Sequence, residues 1–237
     1  MNIAVDIGNS FIKTGTFEDG RLSNIVWLKN ISDLINFINK NNPENIIISS
    51  VSHDTKTITH SLNKEIKTLI LTHELPVPII NKYMNPKTLG FDRLAASVGA
   101  YTLYPNMNSL SVDLGTCVTY DIINEKGEYL GGSISPGIMM KFKALHTFTS
   151  RLPLVEAVRE AALIGTTTEE SILSGVINGT LAEIESMISK YYNIFNNLQV
   201  IICGGDAKFF ETRIKAPIFV IPELVLIGLN RILEHNV

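Results

Sequence analysis

The chain has 237 residues, 45% of them hydrophobic, and a formal net charge of −3. A chain of this length fills one large domain or two of ordinary size, and either buries a substantial core. With 18% charged residues and no polybasic run, neither nucleic acid nor an anionic membrane is an expected partner; with no basic leader and no apolar run of spanning length, the expected location is cytoplasmic.

Strands and helices alternate along the chain. Residues 2–7 and 11–17 read as a hairpin, and Glu18-Asp19-Gly20 turns into a third strand near Ile25–Leu28. Ile31, Leu34, Ile35 and Ile38 recur at helical spacing. The β-branched run Ile46 to Ser50, then Thr68–Thr72 and Val77–Ile80, read as buried strands. A long apolar-periodic segment, Leu94–Leu103, is predicted to be a helix joining two halves, which sets domains at 1–106 and 107–237. In the second half, 110–114 and 118–123 form another hairpin and Glu128–Leu130 begins the next strand. Gly131-Gly132-Ser133-Ile134-Ser135-Pro136-Gly137 reads as a flexible hinge opening onto a helix, 138–145. Residues 169–189 make a broad amphipathic helix carrying Gly175 and Gly179, which suit close packing on the sheet or a dimer contact. Val200–Cys203 is a strand before Gly204-Gly205-Asp206-Ala207, a turn suited to an adenosine or phosphate. Cys117 and Cys203 are far apart and lack C-x-x-C spacing, so they read as thiols.

One phrase occurs twice: Val5-Asp6-Ile7-Gly8-Asn9-Ser10, and Val112-Asp113-Leu114-Gly115-Thr116-Cys117. Each is a strand ending in a carboxylate, then a glycine and a small polar residue. Each reaches a turn glycine 14 positions after its aspartate, Gly20 and Gly127. Two such hairpins facing each other would bring Asp6 and Asp113 together in a cleft. Glycine lets the backbone approach phosphate oxygens, and Asn9, Ser10 and Thr116 add donors. Paired carboxylates suit Mg²⁺, so ATP with Mg²⁺ is the expected ligand. A further constellation, Tyr83, Asn85, Pro86, Leu89, Gly90, Phe91, Asp92 and Arg93, opens the long helix. Arg93 offers a fork for a substrate carboxylate, and Asp92 a base for a hydroxyl attacking the γ-phosphate.

With these motifs in order, and with "YMNPKTLGFDRLAA", "GGSISPG", "LHTFTSRLP", "IGTTTEESILSG", "CGGDA" and "PELVLIGLNRIL", the chain resembles the type III pantothenate kinases nearly end to end. That family lies in the superfamily of actin, Hsp70 and the acetate and sugar kinases. The resemblance implies an α/β fold of two duplicated actin-like ATPase (ribonuclease H-like) domains with the active site in the cleft between them. It implies ATP-dependent phosphorylation of pantothenate, the first step toward coenzyme A, by a homodimer. By the same resemblance, Asp6 and Asp113 hold Mg²⁺, and Gly8, Asn9, Ser10, Lys13, Gly115, Thr116, Gly204 and Gly205 serve the phosphates and nucleotide. Asp92 is the base; Tyr83, Gly90, Arg93 and Thr168 line the pantothenate pocket; Asp121 binds a monovalent cation, K⁺ or NH₄⁺. Cys117 stands where the family usually has alanine. The phosphate loops alone also admit a kinase or phosphohydrolase acting on another small acceptor, or a regulatory ATP-binding protein of the transcription-accessory kind.

Overall fold

The structure, a computed structural model, describes residues 1–8, 11–50, 55–158 and 160–237, with Lys56 described by its backbone only. Asn9 and Ser10, expected in the first phosphate loop, lie outside the described residues. The first elements are β1 (Asn2–Ile7), β2 (Ile12–Glu18), β3 (Arg21–Leu28), α1 (Ile31–Asn41), β4 (Asn45–Ser50), α2 (Thr55–His60), β5 (Lys67–Ile70), β6 (Ile80–Asn81) and α3 (Phe91–Leu103). There follow β7 (Ser109–Leu114), β8 (Cys117–Ile123), β9 (Glu128–Pro136), α4 (Ile138–Thr147), α5 (Thr168–Tyr192), β10 (Gln199–Cys203), α6 (Ala207–Phe210), β11 (Phe219–Val220) and α7 (Leu224–Asn236).

These elements form two compact units. One comprises Met1–Asn106, Ile123–Leu130 and Glu223–Val237; the other comprises Met107–Ile122 and Gly131–Pro222. In the first, the sheet order is β3-β2-β1-β4-β5. Strand β1 is central, antiparallel to β2 and parallel to β4. Ile3, Ala4, Val5 and Ile7 are buried, as are Ile46, Ile47 and Ile48 of β4, which is the continuous apolar run of strands covered on both faces. Helix α1 starts where Asn30 Oδ1 accepts the Asp33 N–H at 2.9 Å and stops at Asn42, whose φ of 42° lies in the left-handed region. It buries Leu34 and Ile38.

The second sheet has six strands in the order β11-β10-β7-β8-β9-β6, with β10 parallel to both β7 and β11. Apart from β6 at its edge, the order matches the first sheet: a meander of three, then two strands placed beside its first member. The repeated phrase therefore belongs to a repeated supersecondary unit, because both aspartates sit at the end of the strand from which the sheet grows in both directions.

Two expectations need correcting. The segment 131–137 is not a hinge; β9 runs through it to Pro136. A Cβ on Gly132 would stand 1.6 Å from the Tyr120 carbonyl oxygen, and one on Gly137 2.2 Å from that of Gly115. These glycines permit backbone contact rather than motion. The strand expected at 77–80 shrinks to β6, which pairs Ile80 with Glu128 and Asn81 with Tyr129. Pro76 and Pro78 have no N–H to give a ladder.

Helix α7, unforeseen as an element, is buried at Leu224, Val225, Leu226, Leu229, Ile232 and Leu233. It packs on α3 and β1, and Asn230, almost fully buried, accepts a hydrogen bond from Asn2 at 3.2 Å. The α3–α7 crossing is set by two glycines. A Cβ on Gly99 would lie 2.4 Å from Leu224 O, and one on Gly228 1.8 Å from Ala95 O. Gly228→Ala forces the helices apart. It is expected to lower unfolding stability by at least about 1–3 kcal/mol, the usual cost of overpacking, as read from urea denaturation followed by circular dichroism; an unchanged midpoint would show that the crossing yields freely.

Candidate active site

In the first unit the site is built on the end of β1. Asp6 pairs across the ladder with Lys13 of β2 and lies beside Ser49 of β4. Burial pushes its carboxyl up to about 6, the charge of Asp92 adds to the rise, and Lys13 opposes it. Lys13 Nζ also stands 5.0 Å from the centre of the Trp27 ring. The turn after Asp6 closes on itself, the Gly8 N–H donating to Phe11 O at 3.2 Å.

Asp92 reaches this region from the first turn of α3. It is exposed, and its Oδ1 accepts the Arg93 N–H at 2.9 Å. Gly90 makes room for that carboxylate, since a Cβ there would come within 2.5 Å of Asp92 Oδ1. Arg93 points inward: it is only 6% exposed, and its Cζ lies 5.8 Å from the Tyr83 ring centre. Tyr83 packs in turn with Leu89, Leu94 and Tyr129. Two adjacent residues of one helical turn thus present an exposed carboxylate and a buried guanidinium.

In the second unit Asp113 ends β7 opposite Cys203 of β10. Beyond Cys203, Gly204 adopts φ +90°, and a Cβ there would fall 2.4 Å from both Asp113 Oδ1 and Leu114 O. The Asp206 N–H then donates to Leu114 O at 2.9 Å. The Gly204-Gly205 turn is therefore laid directly on Asp113, with Gly205 open to space. The Gly115 N–H is consumed by Cys117 O at 3.0 Å, and Thr116 O accepts the Gly137 N–H at 3.1 Å. Thr116 is exposed, and its hydroxyl is placed to serve an anion.

The glycines of this region divide into two kinds. Gly132, Gly137 and Gly204 are demanded by contacts under 3 Å. Gly8 and Gly115 are not: among the described residues a Cβ would meet Phe11 O or Asp113 Oδ1 only at 3.4 Å, an ordinary contact, and neither has φ in the left-handed region. Two glycines that the fold does not require, each just beyond a buried strand's terminal aspartate, leave a cradle that a methyl group would fill. That is the property of a loop meeting phosphate oxygens.

A family model for type III pantothenate kinases matches residues 2–190. A type III pantothenate kinase of Cytophaga hutchinsonii is 48% identical, with all of both chains covered. The chain belongs to the type III pantothenate kinase family. Among solved structures, a Campylobacter jejuni protein assigned to a Baf family of transcriptional activators superposes with a TM-score of 0.67 at 23% identity, covering 99% of this chain and 98% of that one. A ROK family glucokinase of Streptomyces griseus, solved with glucose and AMPPNP, gives 0.50 at 12% identity, with 99% of both chains covered. At these identities the neighbours speak for the fold, which is that of the actin-like sugar kinases.

Members of a kinase family take ATP as co-substrate, and the oxygen-only donor set here suits the metal that accompanies it. Among the described residues no group of three His, Cys, Asp or Glu side chains could hold a metal by itself. One or two carboxylates completed by phosphate oxygens is the usual arrangement for Mg²⁺, and a cation beside Asp6 would relieve its repulsion with Asp92. For a monovalent cation the candidate is Asp121, only 1% exposed on β8. A Cβ on Gly132 would stand 3.0 Å from its Cα, and the next residue, Ser133, has a buried hydroxyl with no hydrogen-bond partner among the described residues. Thr168 is exposed in the first turn of α5, after the capping residue Thr167. Sequence reasoning missed the part played by Gly137 and Asp206, because their roles lie in backbone contacts that no side-chain motif announces.

The Asp6 carboxyl has a measurable signature. Its pKa is raised on folding, so the folded chain holds a proton that the unfolded chain has lost between about pH 4 and 6, and stability falls as pH rises through that window. Asp6→Asn removes the penalty. At pH 7.5, without nucleotide or metal, the variant is expected to be more stable than the wild type by about 1–3 kcal/mol, with the difference fading toward pH 4; urea titrations at both pH values check it, and a variant less stable at pH 7.5 would contradict it.

Proposed function

We propose that this protein transfers the γ-phosphoryl group of ATP to the primary hydroxyl of pantothenate, the opening step of coenzyme A synthesis. The observation that carries the reading is the placing in one unit of a half-buried strand-end carboxylate, Asp6, and an exposed acid on a helix N-terminus, Asp92, whose charge helps to raise the Asp6 pKa. Full-length kinship with pantothenate kinases supports the choice of acceptor.

In this reading Asp92 accepts the hydroxyl proton of the acceptor, and its exposure leaves it reachable by substrate. Arg93, held from beneath by Tyr83, presents its guanidinium to the pantothenate carboxylate, with Gly90 beside it. Lys13 offsets negative charge next to Asp6 and is a candidate partner for a phosphate. Gly8, Asn9, Ser10, Gly115 and Thr116 form the phosphate loops, and Gly204 with Gly205 receives the nucleotide. Asp6 is the candidate Mg²⁺ ligand of the first unit and Asp113 that of the second, and Asp121 is the candidate for a K⁺ or NH₄⁺ ion. Bound magnesium would neutralise charge on the transferred phosphoryl group. Positioning and charge neutralisation supply most of the rate in such a transfer.

A homodimer in the cytoplasm is part of the same proposal. Met140, Leu145, Phe148, Gly175 and Val176 line an apolar groove of about 630 Å³ on α4 and α5. No helix of the described residues is long and apolar enough to cross a membrane.

The deciding experiment is ADP release by purified protein with ATP, Mg²⁺ and pantothenate, in K⁺ or NH₄⁺ and again in Na⁺ alone. Turnover is expected to need pantothenate and to be stronger in K⁺ or NH₄⁺. Asp92→Asn is expected to lower kcat by roughly 10²-fold or more; ADP release without pantothenate, or ATP binding with no turnover, would favour another acceptor or a regulatory role. Arg93→Ala is expected mainly to raise KM for pantothenate, by about tenfold or more given the worth of a charged hydrogen bond; an unchanged KM would put the carboxylate elsewhere.

Gly8→Ala and Gly115→Ala make a separate test of the loops. Each is expected to leave the thermal midpoint nearly unchanged while raising KM for ATP by about tenfold or more. A loss of stability with an intact KM would mean that the glycines serve the fold after all.

A further inference from the structure

One buried polar cluster of the second unit has no part in the chemistry above. Glu183, on α5, accepts from Lys141 Nζ through Oε2 at 2.7 Å. Its Oε1 accepts from the Ser135 hydroxyl and, at 3.3 Å, from the Tyr120 phenol. Lys141 also donates to Thr180 Oγ1 at 2.9 Å. Thr180 and Tyr120 are buried, and the Lys141 and Glu183 side chains are only 21% and 27% exposed. Burial pushes the Glu183 carboxyl up, but donation by Lys141 and Ser135 outweighs it and holds the group below the usual carboxylate range. Burial and the Glu183 charge push the Tyr120 phenol up. Glu183 is thus a fixed anion tying β8, β9 and α4 to α5.

The cluster bears on the phosphate loop through two short links. Ser135 stands two residues before Gly137, and the Lys141 backbone N–H donates to Gly137 O at 2.9 Å. Gly137 is therefore gripped from both sides by residues that meet on Glu183. Its own N–H donates to Thr116 O at 3.1 Å. A trans peptide points its carbonyl and N–H in opposite directions. Tying the Thr116 carbonyl to Gly137 therefore orients the peptide that follows and holds Thr116 in place. Gly137 also lies too close to Gly115 O to shift toward it, since even a methyl group would stand 2.2 Å away.

We propose that Glu183 is a positioning residue for the nucleotide, acting through Ser135, Lys141 and Gly137 to hold the Gly115–Thr116 loop. This rests on reading that loop as a phosphate site, and it adds a residue outside every motif of the chain. A merely structural ion pair would affect stability and leave substrate affinities alone. A positioning role makes a selective claim: ATP affinity depends on Glu183 and pantothenate affinity does not.

The test compares wild type, Glu183→Gln and Ser135→Ala, by calorimetric binding of ATP with Mg²⁺ and by steady-state kinetics. Glu183→Gln keeps the shape and removes the charge. It is expected to raise the ATP Kd and KM by about tenfold, with the KM for pantothenate within about twofold of wild type. Ser135→Ala is expected to move the same constants in the same direction by less. An unchanged ATP Kd in folded Glu183→Gln overturns the proposal, as does an equal rise in both KM values. Should Glu183→Gln fail to fold, Ser135→Ala decides: a raised ATP Kd with normal pantothenate KM supports the proposal, and an unchanged ATP Kd overturns it. If wild type binds ATP yet does not phosphorylate pantothenate, the acceptor assignment fails, and the ATP Kd comparison still judges Glu183.

Discussion

The first unit is organised around a carboxylate that its own fold disfavours. Asp6 stands near the end of a strand in which Ile3, Ala4, Val5 and Ile7 are buried, and that burial is what makes the sheet stable. The same burial strips water from its carboxylate, and Asp92 adds a second negative charge from the helix opposite. A sequence selected for stability alone would place a neutral residue there. Retaining the acid gives the unit a site where a cation or a proton is taken up readily, because either relieves a strain already present. Lys13, across the ladder, offsets part of the charge without cancelling it.

Much of this was legible in the chain because it is encoded in short range. Alternating strands, the doubled Asp-x-Gly phrase and the helix carrying Asp92 and Arg93 are each local patterns, and each folds as expected. The strand order repeats as the doubled phrase implied. What local pattern could not supply was the purpose of each glycine. Gly131 through Gly137 reads as a hinge by composition, yet Gly132 and Gly137 are pinned by carbonyls of Tyr120 and Gly115. Only a partner distant in sequence separates a glycine that allows motion from one that allows contact.

Long-range polar pairing was hidden for the same reason. Glu183 is one acid among several on α5, and nothing in its neighbours predicts that Ser135, Tyr120 and Lys141 converge on it. Helix α7 was visible only as an apolar stretch after Pro222. Its place against α3 and β1 depends on Gly99 and Gly228, 129 positions apart in the chain. Contacts of that kind settle packing but leave no periodic trace.

The two copies of the repeat show how one backbone plan supports different chemistry. Both end a central strand in an aspartate and turn through a glycine the fold does not require. From there they diverge. The first copy faces Lys13 and feels the charge of the acid at the start of α3. The second is overlaid by the Gly204 turn, with Gly204 held at φ +90° against the Asp113 carboxylate and the Leu114 carbonyl, and it is braced through Gly137. Charge is the theme of one copy and backbone placement that of the other. The topology is common to both, so the difference must lie in the few side chains added to each, and the division proposed here assigns acid–base work to the first and nucleotide placement to the second.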